Sequence, residues 1–469
     1  MLKPGFIKLQ FGRNVSCALL ALVAATGLFA AAPALADPPM NQQEYDKFSA
    51  SDENQRVHIL IKLAQAGFAD TAEMLLRKFP LQGPNAANRT LFIEGLILEK
   101  RGHLSDAAAK FRTALGNDPR LTLVRIELAQ VLARLDDTDA AKHHLRLLEA
   151  EAQDAQQAAG IRSFIDSLDA HHPLTFSGFI SLAPSTNINQ GSSHSTMCSP
   201  GVAGVLGVGC TGDIAPSSQK TSGIGIMGGA NIGYRRHIGD HFEAVLAGGA
   251  TGAIYPSINA TSLGFSQSAE LRYDLPDGYV GFGGVGTQAM DPVQVSMSYN
   301  SYGPRVSFAK LISPQNQLSG SALYEWRHYP QSPTSEGTAL QITAVLTHAI
   351  DQTANVALIT GYENVNQQLS FNSYQDATIG FGFYKELSHG FTVQGQATAR
   401  FAGFKDINPF QAYARMDQNY TGSITLTKRD WNWVGFAPSL NYTYTRNVSN
   451  MALYDFDSHS LDFRLTKEF

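Results

Sequence analysis

The spacing of the apolar residues in this chain changes between His171 and Thr175. Before this point they recur with helical spacing inside a repeat of about 34 residues. After it, from Phe176 to Phe469, they alternate with polar residues in one stretch after another, as they do in β-strands with one apolar face. The chain is therefore predicted to consist of a helical repeat domain followed by a large all-β domain.

The first 36 residues have the pattern of a secretory signal peptide. A basic start precedes an apolar run, and Ala34-Leu35-Ala36 supplies small residues where a signal peptidase cuts. A transmembrane anchor is the alternative, because the apolar run is nearly long enough to span a bilayer. The small-residue ending favours cleavage, so we expect export and a mature chain that begins at Asp37.

Composition limits the classes of function. Without the signal peptide, 32 basic residues stand against 40 acidic ones, which argues against nucleic acid as a partner. No second apolar run is long enough for a transmembrane helix, so this chain could span a membrane only as a closed barrel. No hydrolase or zinc-protease motif is present. We therefore expect no enzymatic activity and no cofactor, with an outer-membrane hydrolase as the remaining enzymatic alternative.

Two cysteines remain after export, Cys198 and Cys210, in a stretch rich in Gly, Ser and Pro. In an exported chain, two cysteines this close favour a disulfide that closes a small loop. A metal pair is the alternative, but no nearby histidine or acidic cluster completes a coordination shell. We predict the disulfide and no metal site.

Residues 88–119 contain the clearest copy of the helical repeat. Gly95 allows two helices to approach closely, Phe111 fills the groove between them, and Pro119 ends the second helix. Ala107 and Ala114 are small residues at the helix crossing. This pattern resembles the tetratricopeptide repeat.

Further copies before and after it are in register, because the small residues Ala72, Ala107 and Ala141 lie 35 and 34 residues apart. The helical domain is expected to span residues 37–170, with a linker at 171–174. A stack of such repeats offers a concave surface for an extended segment or a folded protein. A simple spacer is the alternative role.

The β region, residues 175–469, alternates apolar and polar residues along each stretch. In a soluble sandwich the apolar face would point inward, whereas in a transmembrane barrel it faces lipid and the polar face lines the lumen. On this parity the charged residues of the strands are predicted to face the lumen, and they include Glu270, Arg272, Glu325, Arg327, Arg400, Asp462 and Arg464.

Connection lengths favour the membrane barrel. Short turns such as Pro276-Asp277-Gly278 alternate with longer loops, the first of which covers roughly residues 185–221, as in outer-membrane barrels. The pattern predicts a fourteen-stranded antiparallel transmembrane β-barrel, whose even strand number puts both ends of the barrel chain in the periplasm with the helical domain. The last residue, Phe469, resembles the C-terminal signal of bacterial outer-membrane barrels.

The first strand of the β region ends in the most specific motif of the chain, Leu182-Ala183-Pro184-Ser185-Thr186-Asn187-Ile188-Asn189. Pro184 is expected to end ladder pairing, and Asn187 and Asn189 to bond to nearby backbone and fix how the chain leaves the barrel wall. The run resembles the start of the barrel in the surface lipoprotein assembly modulator (Slam) family, in which a fourteen-stranded barrel follows a tetratricopeptide-like periplasmic domain.

The resemblance implies an outer-membrane protein of a Gram-negative bacterium that helps client proteins reach the cell surface. The implied clients are surface lipoproteins or related secreted proteins, and the implied partners are the barrel assembly machinery, periplasmic chaperones and outer-membrane lipid. A polysaccharide exporter and a diffusion porin are the alternatives. The predicted luminal residues carry both positive and negative charges, whereas a conduit for a polyanion is expected to carry an excess of positive ones. A neutral-glycan channel is expected to have aromatic residues in its lumen, but Tyr442 and Tyr444 fall on the outward, apolar face.

Overall fold

The computed structural model describes residues 41–467 apart from residues 84, 136, 151, 153–154, 172, 198–211, 240, 257–259, 291–297, 314, 352, 408–412, 430 and 432–435. The predicted signal peptide, the Cys198–Cys210 disulfide and the terminal Phe469 lie outside the described residues. The chain divides into two compact units, one of them largely helical and one of them β.

The helical unit contains eight helices in the described part of the chain. They are α1 (Gln42–Ala50), α2 (Glu53–Gln65), α3 (Ala69–Lys78), α4 (Ala86–Lys100), α5 (Leu104–Asn117), α6 (Thr122–Arg134), α7 (Thr138–Ala150) and α8 (Ala155–His171). Asn41 and Asp52 start the first two helices with side-chain caps, which satisfy backbone N–H groups that have no partner within the helix. No helix in the described residues is long and apolar enough to cross a membrane.

The residues picked out by the helical repeat lie in the core of this unit. Phe111 in α5 is fully buried, as are Ala107 and Ala114 one turn to either side. Its ring lies directly against Gly95 in α4, where an added Cβ would stand 2.3 Å from Phe111 Cε1. Pro119 follows the end of α5 at Asn117. The close approach of α4 and α5 therefore depends on the missing side chain at position 95.

Helix α8 extends one residue into the segment 171–174 that the sequence predicted as a linker, and β1 begins at Leu174. Pro173 lies between them. Proline has no backbone N–H and disfavours the helical conformation in the residue before it. Pro173 is therefore a local signal for the end of α8, which lies at His171, one residue beyond the predicted boundary at 170.

The β unit is a closed antiparallel barrel of fourteen strands in the described part of the chain, which confirms the predicted fold class and strand number. The barrel strands are β1 (Leu174–Ser185), β4 (Gly223–Ile238), β5 (Phe242–Tyr255), β6 (Ala260–Leu275), β7 (Gly278–Met290), β8 (Tyr299–Ser313), β9 (Asn316–His328), β10 (Gly337–Asp351), β11 (Ala354–Gln367), β12 (Tyr374–Glu386), β13 (Phe391–Ile407), β14 (Ala414–Lys428), β15 (Ala437–Ser449) and β16 (Phe456–Lys467). A small hairpin, β2 (Thr196–Met197) and β3 (Gly212–Asp213), lies in the loop between β1 and β4.

Each strand pairs with its sequence neighbour, and β1 also pairs with β16 to close the barrel. The end at which β1 begins is called the near end, and the end at which β1 finishes is the far end. The longest connection, residues 186–222, lies at the far end between β1 and β4. It is called the first loop below.

The two faces of the barrel wall differ in polarity. Large apolar side chains point outward and remain exposed, with examples on many strands: Ile180, Ile226, Phe282, Tyr302, Ile379, Phe381, Met416 and Phe463. Charged side chains on the opposite parity point inward and are buried or half-buried, as Glu325 and Asp376 are. A wall that is apolar outside and polar inside needs an apolar solvent around it, which is the arrangement of a transmembrane barrel.

Candidate functional site: the barrel interior and its seam

The largest charged network inside the barrel spans β9 to β13. Arg327 is its centre, with Nε 2.6 Å from Glu325 Oε1 and Nη2 2.6 Å from Glu363 Oε1. Arg400 pairs with Asp376 at 2.6 Å. Tyr374 donates from its hydroxyl to Glu363 Oε2 at 3.0 Å, and the Arg400 guanidinium lies over the Tyr374 ring. These charges are therefore held in fixed pairs along one arc of the wall.

A second network lies on β5 to β8. Arg272 Nε is 2.5 Å from Glu270 Oε1, and its Nη1 is 3.5 Å from Glu243 Oε2. Ser307 donates to Glu270 Oε2 at 2.9 Å. The Arg272 guanidinium also stacks on the Tyr279 ring, 4.1 Å from its centre. Acids and bases again neutralise one another on the wall.

The structure brings together five of the predicted luminal charges in these two networks: Glu270, Arg272, Glu325, Arg327 and Arg400. Their partners Glu243, Glu363 and Asp376 were not singled out from the sequence, although each follows the inward parity of its strand. Tyr279 and Tyr374 show that aromatic side chains do line the lumen, so the parity of Tyr442 and Tyr444 was a poor guide to its aromatic content. Among the described residues, no cluster of three or more His, Cys, Asp or Glu could hold a metal ion.

The β1–β16 seam, where the first and last strands meet, has a broken ladder. Partners run from Gly178↔Lys467 to Leu182↔Phe463, are missing at Ala183 and Pro184, and resume in the same register at Ser185↔Ser460. On its other edge β1 pairs with β4 without a gap, and this ladder includes Pro184↔Ile224. The prediction that Pro184 ends pairing is thus wrong for the β1–β4 ladder, because only one edge of a residue carries its N–H.

Two polar side chains face each other across this seam, and each of them buries one polar atom that has no hydrogen-bond partner among the described residues. Ser181 and Arg464 are direct partners in the β1–β16 register. Ser181 Oγ and Arg464 Nε are both buried with no partner among the described residues, although Arg464 Nη2 reaches Asp462 at 2.9 Å. Leaving a buried polar atom unsatisfied costs about 1–3 kcal/mol. The seam is therefore less well satisfied than an ordinary strand pair.

Asn187, the first asparagine of the motif, ties the first loop to β16. Its side chain is only 3% exposed. Its Nδ2 donates to the carbonyls of Gly191 at 2.9 Å and Asp457 at 3.0 Å, while its Oδ1 accepts from the Gly191 N–H at 2.9 Å. Position 191 requires glycine, since an added Cβ would lie 2.4 Å from the Gln219 carbonyl oxygen.

Two serines continue this attachment, and Asn189 closes the base of the loop. Ser192 Oγ donates to the Ala452 carbonyl at 2.6 Å, and Ser193 Oγ donates to Asp457 Oδ1 at 2.8 Å. Asn189 bonds instead within the loop, to the Gln219 carbonyl and the Thr221 N–H. We call Asn187, Ser192 and Ser193, with Ala452 and Asp457 opposite them, the latch. Its bonds join the first loop to β16 and to the β15–β16 connection at the far end of the seam.

The helical unit has its own cluster of charged groups on α2, α4 and α6. Arg134 pairs with the buried Glu99 at 2.7 Å. Nearby Glu127 receives a long hydrogen bond from Gln65 at 3.5 Å. Burial, together with the negative charge of Glu99, raises the pKa of Glu127 to about 7. The protonation state of this cluster therefore changes near neutral pH.

A helical N-terminal domain joined to a closed barrel with an apolar outer surface and a polar interior defines a class, the outer-membrane β-barrel proteins that carry a helical domain. Within that class, the family model described as "Surface lipoprotein assembly modifier" matches residues 175–469. The chain belongs to this family, as its resemblance to the Slam family predicted.

Three relatives illustrate the similarity, and each match covers more of the chain than the barrel alone, so that it reaches into the helical domain. Surface lipoprotein assembly modifier 2 of Haemophilus influenzae is 22% identical, over 84% of this chain and 80% of the relative. The hemophilin secretion modulator of Acinetobacter baumannii is 23% identical, over 81% and 79%. The surface lipoprotein assembly modifier of Pasteurella multocida is 19% identical, over 85% and 79%.

Proposed function

We propose that this protein is an outer-membrane translocator that helps client proteins reach the cell surface. The observation that carries the proposal is that the family match covers the whole barrel, while the relatives, named for surface lipoprotein assembly and hemophilin secretion, also align with the helical domain. The clients would be surface lipoproteins or related secreted proteins. The role needs no covalent chemistry and no cofactor.

The helical domain would lie in the periplasm and recognise the client. An even strand number supports this placement, because it puts both ends of the barrel chain on the same side of the membrane. A repeat stack suits the task, since it presents a long surface to an extended segment or a folded partner. The barrel assembly machinery would insert the protein, and periplasmic chaperones would deliver the client.

The charges inside the barrel support a polypeptide client better than a polyanion. Arg272, Arg327 and Arg400 are each neutralised by carboxylates within 3.5 Å, whereas a conduit for a polyanion is expected to carry an excess of free cations. One face of Tyr279 is covered by an arginine, at 4.1 Å, and is not open to stack on a sugar ring.

Deleting the gene and labelling intact cells tests the proposal. Whole-cell protease shaving, followed by mass spectrometry, should show that a small set of proteins is lost from the surface while remaining in the cell. Complementation with the full chain should restore them. An unchanged surface proteome rejects the function, and loss of a surface glycan with unchanged proteins would favour a polysaccharide exporter.

Conductance in planar bilayers separates the translocator from a diffusion porin. A protein translocator must keep small solutes from crossing while no client occupies it, so the resting barrel is expected to conduct only in brief, infrequent openings. A large and constantly open conductance would favour the porin.

A further inference from the structure

We infer that the β1–β16 seam is the working opening of the barrel, where β1 and β16 separate and pair with an extended segment of the client. This inference rests on the proposed function and deepens it, because it names the route and the kind of surface that meets the client. Four observations on the seam support it, and one comparison within the same barrel serves as a control.

The ladder that would have to open is interrupted. Over Gly178–Ser185, where the partners of β1 on both edges are described, β1 pairs with β16 at six of eight positions, with a gap at Ala183 and Pro184, and with β4 at all eight. Fewer ladder hydrogen bonds mean a smaller free energy for separating the strands. The break would therefore fall on the β16 side of β1, not on its β4 side.

A proline gap alone does not mark an opening. The β8–β9 ladder is interrupted in the same way, at Gly303 and Pro304, between Tyr302↔Trp326 and Arg305↔Leu323. That ladder has eleven paired positions, and no buried polar atom without a partner lies on it among the described residues. The gap at the seam is informative because buried polar atoms without partners lie close to it, which is not the case on the β8–β9 ladder among the described residues.

The unsatisfied pair Ser181 and Arg464 is the second observation. Both residues point into the barrel directly opposite each other, two positions before the gap. Closing the seam buries these two polar atoms without partners, whereas opening it exposes them to water or to the backbone of an incoming segment. An added strand can supply the carbonyl that Arg464 Nε lacks, so the closed seam holds a recognition group for an extended chain.

The latch is the third observation. Its bonds join residues about 260–270 positions apart in sequence, Ser192 to Ala452 and Asn187 to Asp457. The bonds cross the far end of the seam, so it cannot open there without breaking them. Side-chain bonds of this kind stabilise the closed state without continuing the ladder, which lets the closed state be strong and still reversible.

The lipid-facing side of the seam is the fourth observation. Leu182 and Phe463 are paired on the outer face, and both are about half exposed to the surroundings of the barrel. At this height the lumen is separated from the bilayer by these apolar side chains and by the last paired position before the gap. An opened seam would thus connect the lumen to the membrane plane, so that a lipid-anchored or a soluble client could leave sideways.

A disulfide lock tests the inference. Leu182→Cys with Phe463→Cys would bridge the seam on its outer face, in a background with Cys198→Ser and Cys210→Ser. The matched control is Val306→Cys with Ala322→Cys, an outward pair on β8–β9 that is likewise two residues from a proline gap. Directly opposite residues of an antiparallel pair are within disulfide reach.

The readout is the set of surface proteins that deletion removes. The seam lock is expected to reduce their display to the deletion level, and a thiol reductant that enters the membrane should restore it, while the control lock leaves display unchanged. If deletion alters the surface proteome but the seam lock does not, or if both locks reduce display equally, the seam route is wrong although the function stands. Loss that reduction does not reverse also counts against the route.

A second variant tests opening without any client. Asn187→Ala removes the latch bond to Asp457 and the two bonds to Gly191 that order the first loop beside it. It should increase the sensitivity of cells to a large antibiotic that intact outer membranes exclude. The seam lock should cancel the increase, and the control lock should not. Sensitivity that persists with the seam locked, or that never increases, would show that the latch does not hold this opening closed.

Discussion

The packing of Phe111 against Gly95 gives the sharpest prediction for the helical domain, because the effect of Gly95→Ala on stability should change sign when Phe111 is replaced by alanine. In the native chain, Gly95→Ala places a Cβ at 2.3 Å from Phe111 Cε1 and 2.8 Å from its Cζ, whereas carbon atoms normally pack at about 3.5–4.0 Å. The ring or the helix must move by more than about 1 Å in a fully buried site. Overpacking of this kind costs about 1–3 kcal/mol.

The opposing term is helix propensity, which favours Ala over Gly by about 1 kcal/mol. Because the clash is severe and Phe111 has no exposed side on which to relax, we expect Gly95→Ala to lower the free energy of unfolding by about 1–2 kcal/mol. Phe111→Ala should lower it by about 3–5 kcal/mol. In the Phe111→Ala variant, the methyl group added at position 95 enters the cavity that the ring has left, so the clash is absent and the gain in helix propensity remains.

Urea unfolding of the purified full-length protein in detergent, followed by circular dichroism at 222 nm, measures these differences. Heat-modifiable gel mobility serves as the control that the barrel stays folded. Gly95→Ala should destabilise the native sequence and stabilise the Phe111→Ala variant by about 1 kcal/mol, a coupling that a double-mutant cycle detects. An equal effect of Gly95→Ala in both backgrounds would refute the packing explanation.

Three further predictions follow from single sites. The pKa of Glu127 is about 7 in the folded protein, against 4.5 for an ordinary glutamate, so its contribution to the free energy of unfolding is full below about pH 4.5 and is lost as the pH rises through 7. Raising the pH from 5 to 8 should therefore lower the stability of the helical domain by about 2–3 kcal/mol. Glu127→Gln should remove most of this dependence in urea titrations at several pH values. Arg327→Gln leaves Glu325 without its arginine and leaves Glu363 with only the longer ion pair to Arg400, at 3.7 Å. It should lower barrel stability by about 1–3 kcal/mol, read as a lower temperature of the gel-mobility transition, whereas an unchanged transition would show that the network contributes nothing. N-terminal sequencing of the mature protein should begin at Asp37, and an intact Met1 would contradict export with cleavage.

The fold could be predicted because the alternation of apolar and polar residues is directly visible in the sequence of each barrel strand. Every second residue of a strand such as β13 meets lipid, so the apolar parity is strict and the strand count follows from the turns between stretches. The helical repeat was visible for a related reason: Gly95 and Phe111 must stay a fixed distance apart in sequence for their helices to pack. Both signals are local, and a single sequence contains them in full.

The contacts of the seam could not be predicted in this way, because they join the first and last strands of the barrel, which are far apart in sequence. Asn187 stood out in the motif, but nothing near it in sequence indicates that its partner is Asp457. Parity placed Arg464 on the luminal face without showing that Ser181 lies opposite it, since that depends on the register in which the barrel closes. Pro184 interrupts pairing on one edge of β1 and does not end it on either, because a proline lacks an N–H on one edge only and a sequence pattern does not say which neighbour lies on that edge.

Reconstitution with a client tests the central claim most directly. The purified full-length chain would be inserted into lipid vesicles, and a client found by the deletion experiment would be added outside with its periplasmic chaperone. Client that becomes resistant to added protease only in vesicles containing this chain, and sensitive again when detergent opens them, is the predicted result. Client that stays as protease-sensitive as with empty vesicles would contradict the account that this barrel moves proteins across a membrane.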